Sequence, residues 1–87
     1  MNHHERKILH AFFTHPISTN IDFKDAQHAL IALGADLDMK SGNRVEVTLN
    51  GQKTLLHRNH HSLSKDDVTQ VRKFLEGCGV TAEAFPV

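Results

Sequence analysis

The chain has no tryptophan, no tyrosine and a single cysteine among its 87 residues. One cysteine, Cys78, excludes an intrachain disulfide and fits a reducing compartment. Without Trp or Tyr there is no obvious aromatic platform on which single-stranded bases stack. No apolar run approaches the ~20 residues of a membrane helix, and the N-terminal MNHHERK is not followed by a signal-peptide core. We therefore expect a cytoplasmic protein with no membrane partner.

The chain also lacks a net charge, because ten Lys and Arg residues balance ten Asp and Glu residues. This excludes the overall basic footprint of a protein that binds nucleic acid mainly by electrostatic attraction. The distribution is uneven, since four Lys or Arg residues between Lys40 and His61 accompany a single acid, Glu46. The sequence thus predicts a local basic patch on an otherwise neutral molecule.

The most informative segment is 42–60, GNRVEVTLNGQKTLLHRNH, in which Asn50-Gly51 joins two alternating runs. Asn-Gly between such runs predicts a type I′ hairpin, because both central residues must adopt positive φ. This turn fixes the register and places Arg44 directly opposite His57. The expected core face carries Val45, Val47, Leu49 and Leu56, and the expected open face carries Arg44, Glu46, Thr48, Lys53 and His57 with one apolar exception, Leu55.

Helical patterns flank this hairpin. Apolar spacing predicts a leading helix over residues 4–14 and a second helix over residues 22–33, which Gly34 ends. Ser64 is the expected N-cap of a last helix that ends at Gly77 or Gly79, with Asp67 at the capping-box position. Asp22 is the expected N-cap of the second helix.

The alternating segment 35–39 predicts a first strand that precedes the hairpin. At 87 residues the chain makes one domain. Its predicted order is α-α-β-β-β-α, which is an α+β, two-layer fold with a three-stranded antiparallel sheet and helices on one face. Function is expected on the face that the helices leave uncovered.

Eight histidines are present, and His57, His60 and His61 lie within five positions of one another. A ribonuclease uses such imidazoles to remove the ribose 2′-hydroxyl proton and to protonate the leaving 5′-oxygen, while cations stabilise the charged phosphorane. Zinc also binds neutral imidazoles, but no Cys or carboxylate sits among these histidines to complete a site. The third alternative is a set of solvated residues at the hairpin exit. Spacing leaves these alternatives open, and we predict no metal and no cofactor.

The run from Asn20 to Val80 resembles the HicA family of small toxin ribonucleases. Three stretches carry the resemblance: DFKDAQHALIALGAD is similar to the family's first helix and following turn, SGNRVEV to its second strand, and DDVTQVRKFLEGCGV to its last helix. The motifs GNR, LNG and HRNH are closer still to a branch that reads Gly-Ser-Arg, Leu-Asn-Gly and His-Arg-Pro-His. We therefore predict a HicA-like domain over residues 20–80, an N-terminal helical extension over 1–19 and a C-terminal tail over 81–87.

Membership of this family implies a fold similar to the double-stranded RNA-binding domain, metal-independent cleavage of messenger RNA, growth arrest, and neutralisation by a HicB-type antitoxin. At the position of the family's catalytic histidine, however, this chain carries Arg44, and arginine cannot act as a general base at neutral pH. Because the hairpin places His57 opposite Arg44, we expect His57 to be a relocated base and His60 the acid. The expected RNA-binding residues are Arg44, Lys53, Arg58 and His61.

A second interpretation belongs to a different class of protein. The chain would be a non-catalytic RNA-binding or protein-interaction domain that kept the fold after losing the catalytic histidine. Arg44 favours this interpretation, whereas the histidine cluster favours the nuclease. Toxicity that depends on His57 would support the nuclease, and salt-dependent RNA binding without cleavage would support the binding domain.

Overall fold

The computed structural model describes residues 2–14, 16–18, 20–57 and 62–86. Its three strands form one antiparallel sheet in which they lie in sequence order, so the predicted α+β class and element order are confirmed. No helix in these residues is long and apolar enough to cross a membrane. The elements are α1 (His3–Ala11), α2 (Phe23–Ala32), β1 (Asp36–Met39), β2 (Arg44–Leu49), β3 (Gln52–His57), α3 (Lys65–Gly77) and a short 3-10 turn (Ala82–Ala84).

The hairpin between β2 and β3 has the predicted turn and register. Asn50 and Gly51 adopt φ values of 52° and 79°, as a type I′ turn requires. Side-chain contacts hold this turn against the end of α3, because Asn50 Nδ2 donates to the Cys78 carbonyl at 3.0 Å and Cys78 Sγ donates to the Leu49 carbonyl at 3.3 Å. Burial raises the pKa of the Cys78 thiol. The tip of the hairpin is therefore fixed relative to the helix layer.

One face of the sheet forms the floor of the core, as the alternation predicts. Helix α3 packs beside β3 on this face, where Gln70 Nε2 donates to Thr54 Oγ1 at 3.0 Å. The opposite face has no buried residue on β2 or β3. The buried side chains of the hairpin are the four that were predicted, namely Val45, Val47, Leu49 and Leu56.

Helix α1 is part of the same core. Its N-terminus is closed by a capping box between Asn2 and Glu5, which satisfies two otherwise unpaired backbone N–H groups. Leu9 and Phe12 are each 1% exposed and belong to one cluster with the buried residues of the sheet, α2 and α3. Residues 3–11, which the sequence analysis assigned to an N-terminal extension, therefore pack into the core of the 20–80 region.

The helix starts differ in part from the predicted caps. Asp22 occupies the N-cap of α2, but its side chain makes no capping hydrogen bond. At α3, Ser64 Oγ accepts from the backbone N–H of Asp67 at 3.1 Å, as predicted. The Asp67 carboxylate does not complete a capping box and instead binds His57. This contact between Asp67 and His57 is the centre of the candidate site.

Candidate active site

Arg44 and His57 face each other at the end of the hairpin, and this predicted pairing is confirmed by the register. The His57 backbone N–H points away from β2, because it donates to an Asp67 oxygen at 3.4 Å. The two residues are therefore a non-hydrogen-bonded pair, the type in which opposed side chains come closer together. By alternation both side chains leave the sheet on the face opposite the core.

The Asp67 carboxylate holds His57 through two contacts. Its Oδ1 lies 3.2 Å from the ring Nδ1, and its Oδ2 accepts from the His57 backbone N–H at 3.4 Å. The Asp67 side chain is 7% exposed, whereas the His57 side chain is 68% exposed. Because Asp67 belongs to α3, the contact draws the imidazole toward the outer edge of β3. In this pair the Asp67 carboxylate is thus buried and the His57 imidazole faces solvent.

Sequence reasoning missed this role for Asp67, which it read only as a capping residue. The apolar stripe of α3 contained the signal, since Asp67 lies directly before Val68 and four residues before Val71, on the buried side of the helix. In the part of the chain that the structure describes, Asp67 is the one buried charged residue. A buried carboxylate requires a partner, and a search for one among nearby strand ends leads to His57.

Arg44 is held by the turn that precedes its own strand. Its Nε donates to the Ser41 carbonyl at 3.4 Å, and its Nη2 donates to Ser41 Oγ at 3.2 Å. A guanidinium has five N–H donors in a planar fork, so donors remain for a ligand. Since the side chain is exposed, this fork is available for bidentate binding of a phosphate.

The open face carries mixed charge, which corrects the prediction of a basic patch. Strand β1 adds Asp36 and Asp38, because pairing with β2 places these residues beside Thr48 and Glu46. Lys40 Nζ lies 2.9 Å from an Asp38 oxygen and 4.0 Å from a Glu46 oxygen. The hydrogen bond to Asp38, followed by the charges of Asp38 and Glu46, raises the pKa of Lys40. Acids on the neighbouring strands therefore offset part of the positive charge.

Lys53, a predicted RNA-binding residue, lies away from the Arg44–His57 pair. Its Nζ is 4.0 Å from Glu46 Oε1, and its side chain is 65% exposed. It precedes His57 by four positions on β3, a distance of about 13 Å along a strand. Lys53 is therefore on the predicted face but outside the immediate surroundings of His57.

The remaining predicted site residues, Arg58, His60 and His61, lie outside the described residues. Next along the chain, Ser62 forms an isolated bridge with Asp22, and Leu63 N donates to the Ile21 carbonyl at 2.8 Å. Residues 62 and 63 thus lie against the start of α2. Within residues 2–14, 16–18, 20–57 and 62–86, no group of three His, Cys, Asp or Glu residues is placed to hold a metal ion.

Comparison with known proteins finds no relative of this chain. No family model matches the chain, and no curated protein or solved structure shows significant similarity to it. The resemblance to HicA toxins stays a prediction from the motifs in the sequence.

Proposed function

We propose that the chain is a metal-independent endoribonuclease of the HicA type, in which His57 is the general base. One observation carries the proposal: a largely exposed imidazole at the outer edge of β3 is bound by a buried carboxylate, and its residue pairs across the hairpin with an arginine of β2. Histidine is the side chain best suited to proton transfer at neutral pH. The resemblance of residues 20–80 to HicA toxins supports messenger RNA as the substrate and a fold similar to the double-stranded RNA-binding domain.

In the proposed reaction, His57 Nε2 accepts the proton of a ribose 2′-hydroxyl. The 2′-oxygen then forms a bond to the adjacent phosphorus, and the bond from phosphorus to the 5′-oxygen breaks. Protonation of that oxygen, for which His60 is the candidate donor, releases a 5′-hydroxyl and leaves a 2′,3′-cyclic phosphate. The guanidinium of Arg44 stabilises the charge that builds on the non-bridging oxygens, where fixed donors lower the barrier most.

A protein inhibitor of the HicB type, acting in the cytoplasm, completes the proposal. Leu55 is 37% exposed, and alternation places it on the open face two residues before His57. A single exposed leucine is common on protein surfaces, so the resemblance to HicA toxins carries this partner and Leu55 only marks where it would lie. A partner that covers Leu55 would therefore also cover His57 and block access of RNA.

The proposal is tested with the purified wild-type chain and a long single-stranded messenger RNA in excess EDTA. We expect cleavage to persist in EDTA, because every proposed proton transfer uses side chains of the chain. Induced expression is expected to arrest growth. Loss of cleavage on chelation, with recovery when a divalent metal is restored, would contradict the proposed mechanism.

Arg44 and Lys53 are expected to differ in their effect on cleavage. Arg44→Gln removes the fork opposite His57 and should lower the cleavage rate by about 10²-fold, the effect of losing one fixed donor to a developing oxyanion. Lys53→Gln removes an exposed charge already paired with Glu46 and should change the rate by less than about fivefold, since exposed ion pairs contribute at most ~1 kcal/mol. Single-turnover rates on one RNA measure both. Equal losses in the two variants would contradict the placement of the reacting phosphate beside Arg44.

A second candidate function is a non-catalytic RNA-binding or protein-interaction domain. Arg44 at the position of the family's catalytic histidine favours this candidate. The mixed charge of the open face, where Asp38 and Glu46 lie near Lys40, favours its protein-interaction form over its RNA-binding form. The RNA-binding form predicts that the wild-type chain retains RNA without cutting it. The RNA affinity would then fall steeply as salt concentration rises.

A further inference from the structure

We infer that Asp67 is a positioning residue that fixes the tautomer of His57, so that Nδ1 carries the ring proton and Nε2 is left as the proton acceptor. Only the use of Nε2 in RNA cleavage rests on the proposed function. The tautomer itself follows from the contacts between these two residues.

The two contacts act together. The Asp67 Oδ2 bond to the His57 backbone N–H fixes the carboxylate relative to the edge of β3. With the carboxylate held there, Oδ1 lies 3.2 Å from Nδ1. An ionised carboxylate has only acceptors, so the ring nitrogen must be the donor. A neutral imidazole with a proton on Nδ1 has its lone pair on Nε2.

Asp67 stands at a helix terminus that complements the charge of a carboxylate. Asp67 lies in the first turn of α3, where unpaired backbone N–H groups and the helix dipole stabilise negative charge. Its own backbone N–H is capped by Ser64 Oγ at 3.1 Å. The carboxylate is therefore held by the helix, while the exposed imidazole depends on the carboxylate for its orientation.

Another role for the same contacts is purely structural, since Oδ2 satisfies an edge-strand N–H group that has no strand partner. The variant Asp67→Asn separates the two roles. Asparagine has the shape of aspartate, and its oxygen can still accept from the His57 backbone N–H. Its NH₂ group then faces Nδ1, which must become an acceptor, so the ring proton moves to Nε2. The structural contact is kept and the tautomer is reversed.

The experiment is long-range ¹H–¹⁵N correlation NMR of the full chain at about pH 8, where an ordinary histidine is neutral, combined with RNA cleavage kinetics. We expect His57 to be protonated at Nδ1 in the wild type and at Nε2 in Asp67→Asn. We also expect kcat to fall by at least about 10²-fold with little change in KM. The equivalent Asp-to-Asn exchange in a serine protease triad, which also reverses the histidine tautomer, lowers kcat about 10⁴-fold. Asp66→Asn removes the same charge from the same turn at an exposed position and should match the wild type in both measurements.

A neutral His57 whose ring proton lies on Nε2 in the wild-type chain would overturn the inference. This measurement uses the wild type alone, so it is decisive even if Asp67→Asn fails to fold. Cleavage undiminished in a folded Asp67→Asn variant with a reversed tautomer would support the control of the tautomer by Asp67 and overturn the use of Nε2 as the proton acceptor in cleavage. A tautomer that reverses as expected in a chain whose wild type cuts no RNA would support the positioning role and reject the proposed function.

Discussion

Replacing His57 with alanine is expected to lower the rate of RNA cleavage by about 10²- to 10⁴-fold, the usual contribution of a general base. The side chain is 68% exposed, so its removal opens no cavity in the core. The backbone N–H of residue 57 can still donate to Asp67, which keeps the end of β3 attached to α3. Asp67 Oδ1 loses the ring as its partner, which should cost about 1–3 kcal/mol of stability without unfolding the chain. The loss of cleavage should therefore appear in a chain that is still folded. Single-turnover cleavage and urea denaturation of the same preparations measure the two effects.

The matched control is His28→Ala. His28 is an exposed histidine of α2, so its replacement makes the same chemical change away from the Arg44–His57 pair. Cleavage by His28→Ala should equal that of the wild type. Equal activity of the wild type and His57→Ala would remove His57 from the mechanism.

The variant Phe12→Ala is expected to lower the free energy of unfolding by about 3–5 kcal/mol, the range for deletion of a fully buried phenylalanine side chain. Phe12 follows α1 directly and is 1% exposed within the core that the sheet, α2 and α3 share. Such a cost is a large part of the 5–15 kcal/mol that stabilises an ordinary domain. Urea denaturation followed by circular dichroism measures it.

Lys7→Ala is the control within α1, because Lys7 is exposed and surface exchanges usually change stability by less than about 0.5 kcal/mol. If Phe12→Ala lowered the free energy of unfolding by less than about 1 kcal/mol, the loss would fall below the range for core deletions. Helix α1 would then be a detachable extension of the 20–80 region. A large loss would mean that the domain needs its first helix in order to fold.

The sheet was predictable because its determinants are local. Asn50 and Gly51 adopt the positive φ values that their residue types favour, and the turn then sets every pair up to Arg44 and His57. Alternation along β2 and β3 decides which side chains enter the core. These features depend on residues close together in sequence, so a single sequence is enough to infer them.

The features that sequence reasoning missed depend on contacts between distant segments. Asp67 reaches His57 across the gap between the helix layer and the sheet edge, and periodicity does not report such a contact. The acids of β1 join the open face only through strand pairing, so a charge count over the hairpin overestimates its positive charge. The core position of Leu9 likewise depends on how α1 packs against the rest of the fold.

The roles of Arg58, His60 and His61 remain predictions, since these residues lie outside the described ranges. His60 in particular is assigned the protonation of the leaving 5′-oxygen on sequence grounds alone. The variant His60→Ala can be tested in the assays proposed for His57, with His28→Ala as the common control. A donor role predicts a loss of cleavage while the His57 tautomer stays unchanged.

The chemical ends of the cleaved RNA test the central claim most directly. A short defined RNA is incubated in EDTA with the wild-type chain or with His57→Ala, and the products are identified by mass spectrometry. Attack by the 2′-oxygen predicts fragments that end in a 2′,3′-cyclic phosphate and begin with a 5′-hydroxyl, formed by the wild type and nearly absent with His57→Ala. Fragments with 3′-hydroxyl and 5′-phosphate ends, or RNA left intact by the wild-type chain, would contradict the account.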